Sequence, residues 1–272
     1  MSDRSWPSRA ALAAGAAITV ALVACAAFSP WLAPYSPRVM DLCGGLGGPS
    51  AAHWLGQDKH GRDVLSLIIY GSRVSVLVGA GTVLLSAAVG FVLGAMAGMS
   101  RGLWDQLIMR VVDVLLAFPG ILLAIALTAV TGPSIMNVII ALSVRGWVGY
   151  ARLTRAQVLV EREKGYVEAA RAMGAGYPRL IFRHLLPNTM TPIIIEATFG
   201  MAGAILAEAS LSFLGLGPQN LPTWGAMLSD GAGFLRSAPH LAVFPGIAIM
   251  ATVMALNFLG DYLRDRFAGE AA

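Results

Sequence analysis

The sequence predicts an all-α membrane protein that crosses the bilayer about six times, as a single domain over residues 1–272. Three observations predict it. The chain is 57% hydrophobic and 12% charged, with mean hydropathy +0.70, where a soluble domain carries about a quarter charged residues. Its apolar residues fall in runs near the ~20 residues that a helix needs to cross ~30 Å of hydrocarbon. The runs are continuously apolar rather than alternating, which favours helices over a barrel.

The runs cover residues 10–32, 74–97, 107–130, 135–153, 191–213 and 241–263. The first follows Arg4 and Arg9 and contains Leu22-Val23-Ala24-Cys25, a pattern shared with lipoprotein cleavage boxes. It is open to reading as a signal peptide or as a first span. Its continuation through Phe28, Trp31 and Leu32 is long enough for a span. In the second run Ser86, Gly90, Gly94 and Gly98 recur at every fourth position. Small residues at that spacing let helix backbones approach closely, against a neighbour in this chain or in another.

Lys and Arg accumulate on the cytoplasmic side of membrane proteins. With the N-terminus inside, that side holds Arg4, Arg9, Arg101, Arg110, the basic residues from Arg152 to Arg183, Arg264 and Arg266. The other side holds Arg38, Lys59, Arg62, Arg73 and Arg236, the smaller set. Both termini are therefore expected in the cytoplasm, with an extracytoplasmic loop at 33–73 and a cytoplasmic loop at 154–188. This bias also accounts for the net charge of +4. No basic stripe interleaved with aromatics suggests nucleic acid. Cys25 and Cys43 form no CxxC motif.

Within the cytoplasmic loop, Tyr166, Ala170, Met173 and Tyr177 fall at i, i+4, i+7 and i+11, one face of a short helix. Gly174 and Gly176 supply a stop, and Pro178 can open the next helix. An apolar-aromatic face on a cytoplasmic helix suits a groove on another protein. Glu168-Ala169-Ala170, then Gly174, then Leu185-Leu186-Pro187 resemble the "EAA" loop of binding-protein-dependent ABC importer permeases. The resemblance implies a type I importer permease in a bacterial inner membrane. It also implies ATPase coupling through Tyr166, Glu168, Ala169, Ala170, Met173, Gly174 and Pro187. The implied partners are a homologous second permease, two cytoplasmic ATPase subunits and an extracytoplasmic solute-binding protein, with lipid around the spans.

His53 to Asp58, then Gly61-Arg62-Asp63, look like the outer-loop signature of the dipeptide/oligopeptide/nickel class. Gly56, Asp58, Gly61, Arg62 and Asp63 carry that likeness, while Gln57 and Leu67 depart from it. The resemblance implies import of short peptides, with nickel or another small solute as the alternative cargo. The chain itself lacks the GxxxxGK[ST] phosphate loop, since its only lysines are Lys59 and Lys164. ATP and Mg²⁺ would be used by the partner ATPases, with no cofactor in this chain.

Charges within spans are functional candidates, here Asp113, Arg145, Glu196 and Glu208. Arg110 and Asp113 are spaced to pair on one helix face. Glu196 and Glu208 are about 120° apart around their helix and do not serve one site. Glu208 suits either the pore or a structural role. An ion-coupled carrier using these acids is the rival reading, and it lacks the internal repeat common in such carriers. His53, Asp58, His60 and Asp63 group in sequence, but without a ligand geometry no metal is expected. No catalytic constellation is present.

Overall fold

The computed structural model describes residues 6–41, 44–100 and 102–270. Arg4, Cys43 and Arg101 lie outside the described residues, as does the side chain of Arg9. Among the described residues helices are the regular elements, joined by irregular segments, with a single antiparallel bridge between Gln57 and Asp63.

Helix α1 is Trp6–Leu32, kinked at Phe28 just before Pro30. Pro30 has no N–H for the Ala26 carbonyl four residues back. Arg73 donates to that carbonyl instead, Nε to O at 2.9 Å. The guanidinium thus closes a gap in a neighbouring helix.

Helix α2, Val64–Met99, is 36 residues long. It starts ten residues before the apolar run did, so the outer loop ends at Asp63 rather than Arg73. The Asp63 carboxylate accepts from the Ser66 N–H at 2.8 Å and the Ser66 hydroxyl at 2.7 Å. Such an N-cap contributes about 1 kcal/mol.

The third predicted span is broken. Helices α3, Leu103–Ala117, and α4, Gly120–Thr131, meet at an 88° bend. Phe118 precedes Pro119, and the proline ring drives it out of the helical region, to φ −90°, ψ 136°.

Helix α5 is Ile135–Glu161, capped by Ser134. The short helix α6 is Gly165–Ala172, and α7, Tyr177–Arg179, leads into a π-helical turn at Leu180–Leu185. Helices α8, Leu186–Phe213, α9, Trp224–Ala232, and α10, His240–Glu270, complete the chain. By length and apolarity four helices can cross a membrane, α1, α2, α10 and α8 with its π turn, and the bent pair makes up to five among the described residues. The remaining predicted span, α5, is long enough at 27 residues, but Arg145, Arg152 and Arg155 make it less apolar.

Helix α2 is the axis of the bundle, with α5 along one side and α1 and α8 on the others, and α10 packs against α1, α8 and α9. The small-residue stripe faces α5 of the same chain. A Cβ on Gly90 would lie 2.5 Å from Tyr150 Cβ, and one on Gly98 2.7 Å from Val158 Cγ1. Ser86 lies against Gly146, and Gly94 against Ala151. Lipid is as apolar as the helices, so this close fit supplies dispersion in place of a hydrophobic drive.

At one end of the bundle the segment 33–63 and the segment 214–240 lock together. Lys59 Nζ meets Asp230 Oδ1 at 2.6 Å, the Trp224 indole donates to the Ile68 carbonyl at 2.9 Å, and His240 Nε2 lies 3.3 Å from the Gln57 carbonyl. At the other end sit the α2–α3 turn and the α5–α8 loop.

Candidate coupling surface

The α5–α8 loop is held by a polar knot at its base. The Glu161 carboxylate accepts from Lys164 Nζ at 2.6 Å and from the Tyr166 hydroxyl at 2.7 Å. Burial pushes the Tyr166 phenol up, and the bond to Glu161 adds to this, to about 12. Burial alone would raise Glu161, but the donors Lys164 and Tyr166 outweigh it and hold the acid below its ordinary range. Asn188 at the start of α8 donates to the Tyr166 oxygen at 3.3 Å and to the His184 carbonyl at 2.7 Å. Arg162 donates from Nη1 to the Gly98 carbonyl at 2.6 Å, satisfying one of the free carbonyls at the end of α2. Arg155 grips Asp105 of α3 at 2.6 and 2.7 Å.

Helix α6 stands on that base with a buried side and an exposed side. Val167 and Ala170 are 0% and 3% exposed, in a cluster with Met99, Val158, Leu180 and Leu185. Glu168, Ala169, Arg171, Ala172 and Met173 are exposed, Met173 at 82%. The expected face of Tyr166, Ala170, Met173 and Tyr177 is therefore split. Ala170 points into the protein, Tyr166 is tied to Glu161, and Tyr177 belongs to the next helix. An eight-residue helix is too short for its periodicity to fix the phase, and Val167 was the missed inward residue.

Gly174 ends α6 at φ 83°. Its N–H bonds Arg171 O, and the Ala175 N–H bonds Ala170 O, each at 3.0 Å. These are the paired bonds of a Schellman stop, and Ala175 packs on the same cluster as Ala170. The π-helical turn then ends next to Pro187 in the first turn of α8. Pro187 has no N–H for Arg183, and its ring crowds that carbonyl. A wider turn before it relieves both. Pro187 and the loop from Arg171 to Gly174 are exposed at this end of the bundle.

The outer-loop residues form a separate, self-bonded unit. Asp58 accepts from the Arg62 and His60 N–H groups at 2.8 Å and from the Arg62 guanidinium at 2.6 Å. Gly56 and Gly61 turn at φ 83° and 72°. Gln57, the departure from the class pattern, is buried and donates to the Gly61 carbonyl at 2.9 Å. His53 pairs with Asp63 at 3.0 Å, whereas His60 lies 3.9 Å from Asp58. These are two separate pairs, and among the described residues no three such groups converge on a metal-sized site.

The charges within the spans are dispersed. Arg110 and Asp113 are exposed and form no ion pair with each other, contrary to their spacing. Glu208 is 0% exposed. The Ser212 hydroxyl donates to its Oε1 at 2.6 Å, and Oε2 is buried without a partner. It is enclosed by this chain and presents no surface to a pore. Arg145 lies beside Gly120, and Glu196 beside Gly149.

Residues 90–269 match the family described as "Binding-protein-dependent transport system inner membrane component". The chain belongs to this family. It is a multi-pass inner membrane component of a transport system that works with other subunits. It is 45% identical over 252 residues to the glutathione transport system permease protein GsiD of Escherichia coli O6:K15:H31, covering 92% of this chain and 83% of that one. It is 45% identical over 253 residues to the dipeptide transport system permease protein DppC of Alkalihalophilus pseudofirmus, with the same coverage. A solved chain of the MetNI methionine ABC transporter, in inward-facing conformations, superposes with a TM-score of 0.60 at 19% identity, covering 74% of this chain and 96% of that one. That likeness shows the fold. The family match opens at Gly90 in the small-residue stripe and takes in α5, the loop and α8. The matched stretch thus includes Glu168, Ala169 and Ala170 of α6 and the Gly174 that ends it.

Proposed function

We infer that this permease is the membrane-spanning subunit of an ATP-driven importer for short peptides. A homologous permease, two cytoplasmic ATPases and an extracytoplasmic binding protein complete the complex. The observation that carries the reading is the exposed turn of Glu168, Ala169, Met173 and Gly174, seated on buried Val167 and Ala170. A rigidly seated helix with one free face transmits a push to α2, α5 and α8 together. The cytoplasmic ATPases dock on that face and use ATP and Mg²⁺. Their closure moves the loop and opens the path outward, and hydrolysis resets it. The side bearing this loop and both termini faces the cytoplasm, in keeping with the excess of Lys and Arg there. The names of the relatives, glutathione and dipeptide permeases, support a peptide cargo.

The test is energised uptake. The complete complex, reconstituted in proteoliposomes with its binding protein, is expected to accumulate radiolabelled dialanine when ATP is supplied, with or without a protonophore. Uptake that persists without ATP and collapses with the proton gradient would refute the reading.

A further inference from the structure

Arg145 lies ten residues into α5, about 15 Å along its axis, and Glu196 lies ten residues into α8, also about 15 Å. Both therefore sit near mid-membrane, where a charge facing lipid is costly and one facing a water-filled path or a bundle interior is not. Both are half-buried. Among the described residues neither takes part in an ion pair or a hydrogen bond, and Arg145 Nε is buried without an acceptor. The Arg145 side chain is packed on Gly120, its Nε 3.1 Å from where a Cβ would stand. Gly120 opens α4, and the first N–H groups of a helix lack acceptors and carry partial positive charge. A cation set against the positive end of a helix is an arrangement that an anion completes.

Glu196 supplies the opposite charge one turn away. Its Oε1 lies 3.4 Å from where a Gly149 Cβ would stand, and Gly149 follows Arg145 at i+4 on the same face of α5. The Tyr150 hydroxyl, buried and unpartnered, lies against Gly200, one turn from Glu196 on α8. Four residues of helix rise about 6 Å, comparable with the ~7 Å reach of two extended residues.

We propose that Arg145 and Glu196 form a mid-membrane subsite that contacts the carboxylate and the ammonium of a small zwitterion in transit. The inference deepens the peptide-import reading and rests on it. Arg145, backed by the start of α4, takes the carboxylate. Glu196, beside Tyr150, takes the ammonium.

The experiment uses the complete complex in proteoliposomes with dialanine as the probe. Arg145→Gln and Glu196→Gln are each expected to raise the half-saturating dialanine concentration about tenfold, as expected for one lost charged contact. Arg145→Lys, which keeps the charge, is expected to fall between wild type and Arg145→Gln. It also tests the site if the neutral variant fails to assemble. Wild-type saturation curves for the neutral variants would overturn the proposal. So would full rescue by the exchange Arg145→Glu with Glu196→Arg, which would make the two residues each other's partners. An assembly defect in Arg145→Gln with a wild-type curve for Arg145→Lys would assign Arg145 a structural role and overturn the proposal too. If the wild-type complex does not take up dialanine, the peptide reading itself fails, and this inference falls with it.

Discussion

Removing the Glu161 carboxylate would strand two donors, Lys164 Nζ and the Tyr166 hydroxyl, at the base of the coupling loop. Tyr166→Phe removes the bond to Glu161 and the longer one from Asn188 and is expected to cost about 1–2 kcal/mol, read as faster hydrogen exchange in α6 with the spans unchanged. The pH dependence has a definite sign. Glu161 is held below its ordinary range, so its contribution is present above the ordinary carboxylate range and is lost as pH falls through its lowered value. Loop protection should therefore be flat from pH 8 to pH 6 and drop only in acid. Which side chains form this knot was not legible in the sequence. Glu161, Tyr166 and Asn188 are brought together by the path of the loop, which no local spacing encodes. The outer-loop turn was more legible, because Gly56 and Gly61 stand where the backbone adopts positive φ.

Among the elements, α6 depends on its stop. Gly174 has open space around it, with nothing within 4 Å of an added Cβ. Gly174→Ala is therefore expected to cost only its left-handed conformation, about 1–2 kcal/mol, and to lower the coupling of ATP hydrolysis to uptake without loss of assembly. Ala170→Trp acts differently. It forces a large ring into the seat beneath α6, and the loop rather than the docking contact is expected to fail, seen as proteolysis between α5 and α8. The helix α2–α5 seam offers a third test. Gly94→Val sets a branched side chain against the Ala151 backbone, at a cost of about 1–3 kcal/mol, measured as a lower unfolding temperature in detergent. The stripe itself was readable from its four-residue spacing. Its partner was not, because small residues encode closeness and not identity. The break at Phe118–Pro119 was signalled by the proline, but the apolarity on both sides of it read as one span.

For the whole molecule, hydropathy was enough to place most of the long helices, while the distribution of Lys and Arg supplies the expected sidedness. Hydropathy undercounted α2, whose first turns pack under the outer loops and are less uniformly apolar. It also passed over α9, which is only nine residues long. Trp31 and Trp54 stand 81% and 69% exposed at the outer-loop end, as interfacial aromatics do. The two ends are built for different work. The outer end is cross-braced by Lys59–Asp230 and Trp224–Ile68. The opposite end offers one exposed turn on a rigid seat.

The most direct test of that turn as the ATPase dock is co-purification. The chain would be tagged, expressed with its partner subunits, and compared as wild type, Met173→Asp, and Trp54→Asp as an exposed control at the other end. Met173→Asp is expected to lose the ATPase chains while keeping the second permease, and Trp54→Asp to keep both. Full recovery of the ATPases with Met173→Asp would contradict the assignment of that turn as the dock.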